Sequence, residues 1–359
     1  MSKSTRGNFF EDFHKGDVIR HPAPRTVTEG DAALYIALYG DRRPLHCARE
    51  FAHALGMRDA TIHDWLAFHL VFGKTVGQVS LNAVANLGYA DGRFLGPVYP
   101  GDTLRAESEV LGVKETSSGK AGIVWVRTRG LNQRDGEVLR YARWVMVEKR
   151  DPATRTGAAD APELPSCVPA AELRAPEGLD LRRFAEVAWA TGGGALWDDY
   201  QPGERIDHVD GMTVDEADHT LATRHFQNTA RVHFNLHAMA ASRFGKRLVY
   251  GGHVISIASS LAINGLENAL AVLALNGGSH TNPTFAGDTI YAWSEIVEKA
   301  ALAGRDDAGA LRVRLCAAKN ADPVRERVLR RVKNEKGEES PDPRLVLELD
   351  LWLLVPRRR

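Results

Sequence analysis

Residues 10–21, FEDFHKGDVIRH, return as WDDYQPGERIDH at 197–208, an offset of 187 (197 less 10). The same offset pairs Gly16 with Gly203, Ile19 with Ile206, His21 with His208, Thr26-Val27 with Thr213-Val214, Glu29 with Glu216, Asp31 with Asp218 and His46 with His233. Further on, PVYPGDTL at 97–104 returns as PTFAGDTI at 283–290, and Ser108-Glu109 returns as Ser294-Glu295, at an offset of 186 (283 less 97). One residue of slippage is what a single loop indel leaves. Matches spread this widely in one register mean that the chain is two copies of one unit. Its 359 residues suffice for two domains of ordinary size. The division is 1–150 and 177–359. The stretch 151–176 between them holds Pro152, Pro162, Pro165, Pro169 and Pro176. Proline fixes φ and removes a donor, so this stretch reads as a connector rather than as core.

Each copy has the same coarse pattern. A short strand and turn (GDVIRH, GERIDH) leads to TEGD or DEAD, which can cap a helix. A polar loop follows, and then an apolar helix. Trp65, Phe68, His69 and Phe72 recur at i, i+3, i+4 and i+7, as do Val254, Ile257, Ala258 and Leu261. After the helix only strands are expected, over 80–90, 102–114, 122–133 and 137–149, and again over 272–281, 288–299, 310–319 and 345–355. In the last, alternate residues from Leu345 to Leu353 are all leucine, the period of a strand. ADG at 90–92 and RDG at 134–136 read as turns. One apolar helix followed by antiparallel strands is an α+β pattern, and wrapping the sheet around the helix is the simplest way to bury it.

Acids and bases balance at 46 each, so no nucleic-acid surface is indicated. Residues 1–8 are polar and no apolar run approaches about 20 residues, which argues against a secretory signal and a membrane span. Cys47, Cys167 and Cys316 are scattered without metal spacing, the usage of a reducing compartment, with the cytoplasm as the default. His219, His225, His233 and His237 are dense, but carboxylates at metal-ligand spacing are missing, so no metal is expected. The triple glycine at 192–194 lacks the strand before it and the Lys-Ser/Thr after it that a phosphate loop needs.

YGDRRPLH at 39–46 sets an acid, Asp41, and an imidazole, His46, five positions apart with Pro44 between them. Two readings stand: a catalytic acid/base pair, or a turn capped by Asp41 in which His46 satisfies a buried backbone group. In the second copy Asp41 becomes Asn228 while His46 becomes His233. A neutral amide exchanges no proton at physiological pH, though it can orient a water.

Gly40-Asp41-Arg42-Arg43-Pro44-Leu45-His46 resembles the motif of the MaoC-like dehydratases, or (R)-specific enoyl-CoA hydratases, apart from Arg43 in place of Asn. Tyr99-Pro100-Gly101-Asp102-Thr103-Leu104 resembles that group's later signature. Within the group, PRTVTEGDAALYIALYGDR, FGKTVGQVSLNAVANLGYADGRFLGPVYPGDTL, RWVMVEKR and RHFQNTARVHFN are similar to the mesaconyl-CoA hydratases, or β-methylmalyl-CoA dehydratases. The resemblance implies a double hotdog, each unit a helix wrapped by an antiparallel sheet. It implies a hydro-lyase that hydrates mesaconyl-CoA reversibly, with coenzyme A present only as part of the substrate and no separate cofactor. It also implies that Asp41 and His46 hold one water between them. On residue types the first half is favoured for the chemistry, with Asn228 and His233 as the other candidate pair. The thioester oxygen is expected at a helix start, near His63 in one half and Gly251-Gly252 in the other. Arg42, Arg43 and Arg231 are candidate clamps for the free carboxylate of such a substrate. A hydratase for other acyl chains, a hotdog thioesterase and a non-catalytic acyl-CoA-binding module are the rival readings. The expected partner is the acyl-CoA alone, without nucleic acid or membrane; a homodimer is a further association open to the fold.

Overall fold

The computed structural model describes residues 3–333 and 337–358. In the first half, a short strand β1 (Val18–Arg20) and helix α1 (Glu29–Tyr39) precede the central helix α2 (Asp64–Thr75). Strands β2 (Ala83–Phe94), β3 (Thr103–Glu115), β4 (Ala121–Leu131) and β5 (Glu137–Glu148) follow. The second half repeats the order with β6 (Arg205–Thr213), α3 (Glu216–His225), α4 (Gly251–Leu261), β7 (Ala271–Ser279), β8 (Thr289–Ala301), β9 (Ala308–Lys319) and β10 (Leu345–Pro356). The four long strands expected in each half are present.

The strands lie in the order β1-β3-β4-β5-β2-β7-β10-β9-β8-β6, one continuous sheet whose second half mirrors the first. The halves meet where β2 pairs antiparallel with β7, Tyr89 opposite Gly278 and Arg93 opposite Ala274. Both central helices are buried nearly all round, every residue from Trp65 to Thr75 and from Gly252 to Ser260, as helices enclosed by a sheet must be. The helix packing between halves is close. A Cβ on Gly73 of α2 would lie 1.7 Å from the carbonyl oxygen of Phe226, so only glycine lets the two backbones approach.

The repeated residues turn out to be fasteners. His21 Nε2 meets Ser108 Oγ at 2.7 Å, tying the end of β1 to β3, and His208 Nε2 meets Ser294 Oγ at 2.8 Å, tying β6 to β8. In the Gly-Asp-Thr turns, Asp102 accepts from the Tyr99 amide and Asp288 from the Phe285 amide, both at 2.9 Å. Gly101 and Gly287 hold φ of 94° and 95°, which glycine tolerates best. Thr28 caps α1 by accepting from the Asp31 amide at 3.2 Å. The DEAD start of α3 makes no such side-chain bond, so capping is kept in one copy only.

Two expectations are corrected. ADG at 90–92 does not end a strand: Asp91 takes φ 48° at a register shift between Ala90 and Arg93 inside β2. This bulge lets the strand run on and pair with β7. RDG does make a hairpin turn, closed by the Asn132 amide on the Gly136 carbonyl at 2.9 Å. The 151–176 stretch is also more than a connector. Val168 and Leu173 are buried in a core cluster with Trp352 and Leu354, and the Trp352 indole donates to the Val168 carbonyl at 3.1 Å. Proline-rich chain can still carry apolar side chains into a core when other groups satisfy its backbone, which composition alone does not reveal.

Burial pushes the imidazoles of His21, His208, His219, His225, His233 and His280 down to about 4. Unfolded, they titrate near 6.5. Between these values the unfolded chain binds protons that the folded chain refuses, so stability rises with pH across that window. Urea midpoints measured from pH 7 down to pH 4.5 are expected to fall steadily below pH 6.5; a flat profile would contradict these burials. Gly73→Ala is expected to lower stability by about 3 kcal/mol or more, because the added methyl meets backbone rather than a mobile side chain. A denaturation midpoint equal to wild type would show that the helices separate freely.

Candidate active site

The loop after α1 carries the first pair. Asp41 is 3% exposed and Arg43 9%. Asp41 Oδ1 accepts from the Arg43 amide at 3.0 Å, making a turn. Its Oδ2 accepts from Arg43 Nη1 at 2.5 Å and from Ser260 Oγ at 3.2 Å, and lies 3.1 Å from His63 Nε2. The guanidinium and imidazole hold this carboxyl well below the usual carboxylate range despite its burial. Arg43 Nη2 donates to the Ser259 carbonyl at 2.6 Å. His63 therefore stands between the expected partners, with its ring 4.6 Å from that of His46. His46 turns Nδ1 to Thr61, 2.9 Å from Oγ1.

The helix start beside this pair is sealed. His63 Nδ1 accepts from the Trp65 amide at 3.1 Å, and Asp64 Oδ2 accepts from the Val272 amide at 2.8 Å. The adjoining cavity, bordered by Arg43, His46, His63, Val313, Leu315, Leu351 and Leu353, measures about 20 Å³. A single water needs about 10–15 Å³ on this measure, so one water fits and an acyl group does not. On its outer side His46 also borders an open cleft of about 260 Å³ whose charged residues include Glu29, Arg49 and Asp59. Those charges are spent on one another, Arg49 bonding both Asp59 and Glu29.

The second copy keeps the same loop geometry with opposite consequences. Asn228 Oδ1 accepts from the Ala230 amide at 3.1 Å, the same turn. His233 Nδ1 lies 2.9 Å from the Leu248 carbonyl. A carbonyl can only accept, so Nδ1 carries the proton and Nε2 is left with its lone pair. At about 4, the imidazole is neutral at physiological pH. Helix α4 begins on two glycines, and its N-cap, Tyr250, makes no side-chain capping bond. A Cβ on Gly251 would lie 2.4 Å from the His280 ring, so glycine is required there. Asn228, His233, Tyr250, Gly251 and His280 all border one cavity of about 290 Å³, close to the lower end of ligand-pocket sizes, roughly 300 Å³.

The three arginines offered as carboxylate clamps lie in different surroundings. Arg43 is buried and fully engaged by Asp41 and the Ser259 carbonyl. Arg42 is exposed. Arg231 is exposed and reaches only Asn82, at 3.4 Å. His63 is engaged by Asp41 and by the Trp65 amide. Gly252 lies beneath Tyr250 and His69, where a Cβ would meet both rings. Among the described residues no three His, Cys, Asp or Glu side chains gather as a metal site. Sequence reasoning missed Arg143, Asn86 and Tyr89, which border the second cavity from the first half's strands. The signal was present for one of them: Tyr141, Arg143, Val145 and Val147 share one face of β5, so a charge stands among inward positions.

Comparison with known proteins agrees with this architecture. A family model described as mesaconyl-CoA hydratase matches residues 2–328. A β-methylmalyl-CoA dehydratase of Chloroflexus aurantiacus is 53% identical over 357 residues, 99% of either chain. A mesaconyl-CoA hydratase of Cereibacter sphaeroides is 53% identical over 357 residues, 99% of this chain and 100% of that one. The crystal structure of a MaoC domain dehydratase from Chloroflexus aurantiacus superposes with a TM-score of 0.93 at 52% identity, covering 100% of both chains. A Mycobacterium tuberculosis protein with a double hotdog fold superposes at 0.78 with 26% identity, over 98% of this chain and 99% of that one. The helix-in-sheet unit written twice, the Gly-Asp-Thr turns and the repeated histidine loops are accordingly those of a double hotdog, and the chain belongs to the mesaconyl-CoA hydratase family.

Proposed function

We propose that this protein hydrates mesaconyl-CoA (2-methylfumaryl-CoA) reversibly to β-methylmalyl-CoA, and that the chemistry takes place in the second half's cavity. The observation that carries the location is the 290 Å³ cavity bordered by His233 and the start of α4, against about 20 Å³ beside the closed Asp41 pair. The full-length likeness to two enzymes named for this reaction supports the substrate.

The residues present can perform each step. Asn228 and His233 Nε2 hold a water. Nε2 takes one proton as the water oxygen bonds to the β-carbon, and the electron pair of the double bond moves onto the thioester as an enolate. Unpaired amides at the Gly251 start, together with the positive end of the helix, stabilise that oxygen. The enolate then collapses and the α-carbon takes the proton back from His233. Water is consumed whole and the imidazole ends neutral. A single imidazole serving both carbons adds the hydrogen and the hydroxyl to one face. Coenzyme A contributes the thioester, and no other group is needed to balance the reaction. At the rim of the cavity Arg243 is exposed and suits a coenzyme A phosphate.

His233→Ala is expected to cut kcat on mesaconyl-CoA by about 10²–10⁴, while His46→Ala changes it by less than about fivefold. The reverse pattern, in folded variants, would move the chemistry to the first half. Because His233 is neutral down to about 4, the acid limb of kcat/KM should fall well below pH 6.5 and vanish in His233→Ala; a limb at 6.5 would assign it to an exposed group. No free coenzyme A should appear with a thiol reagent during turnover, and stoichiometric release would identify a thioesterase.

A further inference from the structure

Arg143 carries an unusual electrostatic burden. It is 0% exposed in the middle of β5. Its guanidinium lies over the Phe72 ring, 4.4 Å from the centroid. Nη2 donates to Thr75 Oγ1 at 2.8 Å and to Ser80 Oγ at 3.2 Å, and Nη1 reaches Asn86 Oδ1 only at 3.5 Å. Nε has no partner, and neither does Asn86 Nδ2. Every group that bonds Arg143 is neutral, and the groups acting on it through charge are the phenols of Tyr141, Tyr89 and Tyr250. A buried cation without an anion is costly, because its lost hydration is not repaid by a paired charge. Buried Lys149, by contrast, is matched by Glu115 and buried Arg43 by Asp41.

The missing anion has a place to enter. Phe72, Ser80, Asn86, Tyr89 and Arg143 border the same cavity as Asn228, His233 and Gly251. The corresponding small cavity of the first half is bordered from the opposite sheet by Val313, Leu315, Leu351 and Leu353, none of them charged, and its one cation, Arg43, is already paired with Asp41. We infer that Arg143, assisted by Asn86, binds the carboxylate at the far end of the acyl group and so selects dicarboxylic acyl thioesters over ordinary enoyl chains. This rests on the reading of the second cavity as the reaction site. Arginine is well suited to such a role, because its planar group stacks on Phe72 while its Nε hydrogen remains without a partner. A neutral Asn228, where the other copy has Asp41, adds no negative charge to repel that carboxylate.

The test compares mesaconyl-CoA with its monomethyl ester, in which the carboxylate is masked, and with crotonyl-CoA. Wild type is expected to favour mesaconyl-CoA by at least about 100-fold in kcat/KM. Arg143→Gln should bring that ratio to within about threefold by losing the diacid, with crotonyl-CoA turnover little changed, and Arg143→Lys should keep an intermediate ratio. An equal loss on all three substrates in folded Arg143→Gln, or a wild-type ratio near one, overturns the assignment. If Arg143→Gln does not fold, Asn86→Ala replaces it: a fall of the ratio supports the assignment and a wild-type ratio overturns it. His233→Ala separates the two readings. If it retains turnover, the cavity is not the reaction site. If it loses turnover while Arg143→Gln keeps the wild-type ratio, the site stands and the carboxylate is held elsewhere.

Discussion

The pairing of β2 with β7 is the contact on which the rest depends. It turns the sheets of the two halves into one and places each half's strands over the other's helix start. Arg143, Asn86 and Tyr89 reach the His233 cavity only because β2 and β5 of the first half lie beside the second. The register needs small residues: a Cβ on Gly92 would sit 2.7 Å from Leu275 Cβ, and Gly277 and Gly278 face Ala90 and Tyr89. Without that seam neither half would have a complete cavity wall.

Much of this frame was readable in the amino-acid order because it rests on local rules. Alternation marks the strands, the 3.6-residue period marks the helices, and the repeat fixes the topology of one half from the other. The misreadings concern residues whose role is decided by distant partners. Asp91-Gly92 has the composition of a turn, yet the neighbouring sheet makes it a bulge. Val168 and Leu173 lie among prolines, yet they meet Trp352. The dyad was harder still, since the motif matches best in the half whose cavity is small. The signal that separates the halves sits about twenty residues downstream of the loop, at the helix starts. The His63 side chain accepts from the Trp65 amide, whereas Tyr250 makes no side-chain capping bond at the Gly251-Gly252 start. A helix start supplied with acceptors is satisfied, and one without them retains donors for a ligand.

Charge balance connects these observations to the proposed division of labour. In the first half a carboxylate, Asp41, and a guanidinium, Arg43, neutralise each other beneath Ser259 and Ser260, and the space around them closes. Removing either partner would strand a buried charge, so the acid of this loop has a structural role beside a cavity too small for an acyl group. The second half has an amide at the position of Asp41 and a guanidinium across the cavity, so its wall carries net positive charge. That imbalance is unfavourable in the empty fold and favourable with a carboxylate bound. Under the proposed assignment it would link specificity to the reaction, because anchoring the acyl group at its far end would fix where the β-carbon lies relative to His233. On the proposed assignment, the amide that replaces the acid in the second loop removes a charge that would repel an anionic substrate, and the imidazole alone carries the proton between the two carbons.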